Sequence, residues 1–95
     1  MIEQLQRQDF ENLAPGSLGV ATEEGRIVLE VVELRDLPDH SPRAAPFAVV
    51  LQGPASPLLA QAIQPLEHPK LGRLEVFLVP IARTAEHARY ELIFN

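Results

Sequence analysis

Ninety-five residues, 46% of them hydrophobic and none of them cysteine, are enough for one domain with one core, and they exclude disulfides and thiolate metal sites. The net charge of −5 is unevenly spread: residues 1–48 hold nine acids and four bases, and residues 49–95 hold four of each. No basic stripe exists to displace counterions from phosphates, so nucleic-acid binding is not expected.

In chain order, the first segment reads as a short helix, with Leu5, Phe10, Leu13 and Ala14 on one face and Asp9 and Glu11 outside it. Pro15-Gly16 ends it, because proline cannot continue a helix and glycine tolerates a left-handed turn. From Ser17 the apolar period becomes two. Leu18, Val20 and Thr22 lead to Glu23-Glu24-Gly25, a turn signal, and residues 26–34 follow with Ile27, Leu29 and Val31 on one face. That pattern predicts a β-hairpin. The doubled Val31-Val32 breaks the alternation and marks a bulge.

Residues 35–46 crowd Pro38, Pro42 and Pro46 among Asp36, Asp39 and Ser41 and read as a loop. A third strand runs over 47–52, closed by Gly53-Pro54. A fourth covers 61–67, with Pro65 placing it at an edge or a bulge. His68-Pro69-Lys70-Leu71-Gly72 is the next turn. The fifth strand, 73–81, is the most apolar, with Leu74, Val76 and Leu78 on one face and Phe77 and Val79 on the other. A strand apolar on both faces is central to a closed or layered sheet, or it faces a partner. Residues 89–95 close the chain with Tyr90, Leu92 and Phe94 inward. The expected fold is mainly β: a six-stranded antiparallel barrel or sandwich over residues 1–95, with one short N-terminal helix.

The sharpest candidate chemistry is Glu67-His68-Pro69, where a carboxylate and an imidazole could do acid–base work near neutral pH. Adjacent strand residues point to opposite faces, however, so the two converge only at a bulge. The preferred reading has His68 bonding the backbone of its turn and Pro69 fixing the entry. The other imidazoles, His40 and His87, also fall in expected turns, without metal-ligand spacing, and are read as solvated loop histidines. Ser17, Ser41 and Ser56 lack a nucleophile context, and the five glycines form no phosphate-cradling cluster. No catalytic, metal or cofactor site is expected. Glu30, Glu33, Glu75 and Glu91 could be paired acids for glycoside chemistry, but beside Arg26, Arg35, Arg73 and Arg89 they read as cross-strand ion pairs. The surfaces left for a partner are the outer side of the fifth strand, Phe77 and Val79, and the proline-rich loop with Pro42 and Pro46.

Three stretches carry a resemblance: residues 46–54, ending in Gly53-Pro54; residues 66–81, containing Leu66-Glu67-His68-Pro69 and Phe77-Leu78-Val79-Pro80; and Arg89-Tyr90-Glu91-Leu92-Ile93-Phe94-Asn95. Together with Asp9-Phe10 they resemble a family of bacterial domains of unknown function, about a hundred residues long, sometimes encoded near phage-tail-collar-like proteins. The chain departs from that pattern at Ala62, Ile63, Gln64 and Pro65, where relatives tend toward glycine, threonine, tyrosine and arginine. The resemblance implies no activity and leans toward an assembly or accessory role.

Taken together, these readings give a non-catalytic interaction module with a protein partner or a homo-oligomeric state. The alternative is a small-ligand barrel or minor hydrolase using Glu67 and His68. The opening Met1-Ile2-Glu3-Gln4 lacks a basic region and an apolar stretch after it, and the longest apolar run, 76–82, is far below the roughly 20 residues that span a bilayer. A cytoplasmic domain with no membrane contact is expected.

Overall fold

Alternation from residue 17 onward is realised as six antiparallel strands, and the inward set of each lines one continuous core. The computed structural model describes residues 5–38 and 46–94. The strands are β1 (Leu18–Thr22), β2 (Gly25–Asp36), β3 (Phe47–Pro54), β4 (Ala62–His68), β5 (Gly72–Arg83) and β6 (His87–Phe94). They close in the order β1-β2-β3-β6-β5-β4. The barrel is therefore realised rather than the open sandwich.

Closure depends on the two twelve-residue strands, β2 and β5. The first part of β2 pairs with β1 and its remainder with β3. β5 pairs first with β4 and then with β6. Each long strand thus belongs to two sheets and turns a corner between them. The corner residues are bulges, between Val31 and Glu33 in β2 and between Pro80 and Ala82 in β5. The first is the bulge that Val31-Val32 predicted. Pro65, expected at an edge or bulge, opposes Glu75 of β5, while β1 reaches β4 only at Glu67 and Leu66. Proline's missing N–H therefore falls just beyond the short β1–β4 seam.

The first hairpin turns through Gly25 at φ 118°, and the Thr22 hydroxyl donates to the Gly25 carbonyl at 2.7 Å. Leu18, Leu51, Leu66, Leu78, Tyr90 and Leu92 fill the interior. Gly53 leaves room for Leu29: a Cβ there would lie 2.7 Å from Leu29 Cδ2.

The expected N-terminal helix is corrected to a single 3-10 turn, Arg7–Phe10. Asn12 takes a left-handed φ of 54° two residues later, so the run toward Leu13 and Ala14 is not helical. Asp9 Oδ2 accepts from the Gln6 amide at 2.8 Å and holds the turn. Phe10 is buried and plugs one end of the barrel, packed on Phe47 and Phe94 with ring centroids 6.1 and 5.8 Å away. Among the described residues, no helix is long and apolar enough to cross a membrane.

Candidate functional site

β4 decides the fate of the Glu67-His68-Pro69 turn. Leu66 and His68 share the inward parity, and Glu67 points out. His68 is only 6% exposed and, as its preferred reading had it, bonds the backbone of its turn. Its Nδ1 accepts from the amides of Lys70 and Leu71 at 3.1 and 3.2 Å. With Nδ1 occupied as an acceptor, the ring proton sits on Nε2, which donates to the Asp9 carbonyl at 2.6 Å. The ring also meets Phe10 edge-on, 5.7 Å between centroids at 89°. His68 thus ties the β4–β5 turn to the N-terminal plug. Pro69 lies exposed within that turn.

Glu67 goes elsewhere. Its Oε1 accepts from Arg26 Nε at 2.7 Å, and Arg26 reaches it by crossing over β1 at Gly19. A Cβ on Gly19 would sit 2.7 Å from Arg26 Cζ, so the glycine is what lets the arginine lie flat there. The guanidinium also donates to the Gly16 carbonyl at 3.0 Å. The structure therefore does not bring Glu67 and His68 together, and the acid–base dyad has no geometry.

A second arginine crosses β3 in the same manner. Glu33, Val50 and Glu91 form one row across β2, β3 and β6. Arg35 donates to Glu33 at 2.9 Å and to Glu91 at 2.6 Å, and so lies over Val50. Hydrogen bonds to Glu91 and then Glu33 raise the Arg35 pKa above its ordinary value. Ala48 and Val50, outward on β3, are buried. The expected cross-strand ion pairing is realised by Arg35 and Glu91. Arg26 and Arg35 span an intervening strand, while Arg73 and Glu75 pair at 3.3 Å along one strand and Arg89 donates to Gln52. Among the described residues, no three histidine or carboxylate side chains gather as a metal-ligating group.

The outer side of β4 and β5 is different. Ile63 and Phe77 oppose each other in register and are 67% and 54% exposed. Val79 follows Phe77 on the same side and is half-buried, and Ile93 of β6 is also exposed. Ile63 was not singled out from the sequence, although sharing its parity with Glu67 on β4 was a usable signal. Of the proline-loop candidates, Pro42 lies outside the described residues, as do His40 and Ser41. Pro46 is corrected from a contact residue to a buried one; its carbonyl accepts from the Leu37 amide at 2.9 Å. His87 begins β6, exposed, beside a groove of about 280 Å³. Two further grooves, about 400 and 550 Å³, flank the Glu11-Asn12-Leu13-Ala14 segment beside the plug.

These features define a small closed β-barrel with a plugged end, arginine-bridged outer strands and an exposed apolar pair on β4 and β5. The sequence profile of the family described as Domain of unknown function (DUF6916) matches residues 5–94, and the chain belongs to that family. No match was found among the curated proteins or the solved structures.

Proposed function

We propose that this domain is a non-catalytic protein-interaction module, used in an assembly or as an accessory to one, acting in the cytoplasm through the outer face of β4 and β5. One observation carries the reading: Ile63 and Phe77, the two most exposed large apolar side chains among the described residues, stand side by side in water. The resemblance drawn from the sequence leans the same way, toward an accessory of a phage-tail-like structure. The alternative, a ligand barrel or hydrolase built on Glu67 and His68, is left without support by their divergence and by an interior filled with side chains.

The test places a photo-crosslinking phenylalanine analogue at position 77 in the producing cell, with an exposed control at Glu24. A specific adduct at 77 that disappears in the Ile63→Asp background is expected, because truncating a central contact costs about 2 kcal/mol or more, roughly thirtyfold in affinity. Equal labelling at both positions would refute the reading.

A further inference from the structure

β5 serves two ladders in succession. Residues 72–78 pair with β4 along one edge, and β6 takes the opposite edge only from Val79 onward. Among the described residues, no strand pairs that opposite edge of 72–78, and no backbone hydrogen bond outside the ladders reaches residues 73–77. An unpaired edge presents alternating N–H and C=O groups that template another strand.

Resting on the interaction reading, we infer that the partner is a second copy of this chain, its β5 pairing antiparallel along this edge in the register centred on Leu74. Only complementarity distinguishes the possible registers. Centred on Glu75, the two Glu75 carboxylates would face each other, and like charges directly opposite are destabilising. Centred on Val76, each Glu75 would face a Phe77. Centred on Leu74, Arg73 faces Glu75 of the second copy twice over, by symmetry, and Leu71 approaches Phe77 of the second copy. Arg73 and Glu75 are free to exchange partners, since their 3.3 Å pair within one strand is exposed on both sides, at 69% and 60%. Leu71 and Phe77 are exposed as well. The half of the chain carrying this edge, residues 49–95, has four acids and four bases, so the net charge of −5 lies in the other half.

Sedimentation equilibrium of the whole chain tests this with Arg73→Glu, Glu75→Arg and the double swap, each checked for an unchanged melting temperature. Each single swap puts like charges opposite at two places and raises the dimer dissociation constant about tenfold or more; the double swap restores it. Hydrogen exchange at residues 73–77 slows as concentration rises. A wild-type monomer at millimolar concentration overturns the pairing, as does a dimer indifferent to the single swaps or a double swap that stays monomeric. A wild-type monomer that still gives a specific adduct at position 77 overturns self-pairing while leaving the interaction reading intact. Absence of that adduct in a protein that dimerises as described overturns the broader reading of the face instead.

Discussion

Replacing His68 tests whether the most reactive-looking side chain of the domain is a structural tie. The ring makes three hydrogen bonds, to the Lys70 and Leu71 amides and the Asp9 carbonyl, and it contacts Phe10 edge-on. Each bond contributes about 0.5–1.5 kcal/mol net, and the turn amides recover part of their loss by meeting water once the ring is gone. His68→Ala should therefore cost about 2–4 kcal/mol. For a domain of this size that lowers the melting temperature by roughly 10–30 °C. His68→Asn separates the two halves of the role. Its side-chain oxygen can stand where Nδ1 stands and accept from the turn, but its amide is too short to reach Asp9. It should recover about half of the loss. Calorimetric melts of the three proteins check this. An alanine variant within about 0.5 kcal/mol of wild type would refute the tie, that being the range of a surface substitution away from any structural feature. An asparagine variant no better than alanine would refute the division of roles.

Two further substitutions probe the barrel interior. Tyr90→Phe removes the hydroxyl that accepts from the Leu59 amide at 3.0 Å in a buried setting, at a cost of about 1–3 kcal/mol. Faster exchange at Leu59 should accompany it, and unchanged exchange there would contradict the assignment. Gly53→Ala pushes a methyl to within 2.7 Å of Leu29 Cδ2, an overpacking cost of about 1–3 kcal/mol. Adding Leu29→Val should relieve part of that cost, and a purely additive pair in chemical denaturation would show that the contact is not the cause.

Strand positions were legible because one face of each is buried, so parity alone separates Leu74, Val76 and Leu78 from Arg73, Glu75 and Phe77. The Val31-Val32 bulge was legible for the same reason, as a break in parity. Parity also put His68 on the side opposite Glu67, and its turn setting pointed to backbone hydrogen bonds; its bond to Asp9 was hidden, because the two residues are 59 apart in sequence. The N-terminal helix is shorter than expected because the chain leaves helical geometry after Phe10, Asn12 taking a left-handed φ. Phe10 enters an aromatic cluster with Phe47 and Phe94, and that pull outweighs the weak propensity of a short isolated helix. The arginine bridges were hidden, because they join strands that are not neighbours. Arg35 and Glu91 are 56 residues apart and meet only once β3 is known to lie between β2 and β6.

Those bridges give the exposed apolar pair its meaning. Val50 and Phe77 occupy equivalent outward positions on apolar strands, and in isolation both would face water. Over Val50 the chain lays Arg35, anchored at both ends by carboxylates, so that an aliphatic stem covers apolar surface while the charge stays solvated. Over Gly19 it lays Arg26 in the same way. Arg73, two outward positions before Phe77, pairs with the Glu75 that lies between them, and the phenylalanine stays exposed. Covering Phe77 by the same device would have needed only a carboxylate across the neighbouring strand, and the residue opposite Phe77 is Ile63, which enlarges the apolar surface instead. Within one small barrel Val50 and the Ile63–Phe77 pair thus receive two treatments, and Phe77 lies on a strand with an unpaired stretch of edge. Association along that edge brings Leu71 of a second copy to Phe77, while Ile63 lies across β5 from it and keeps the outer face of β4 apolar.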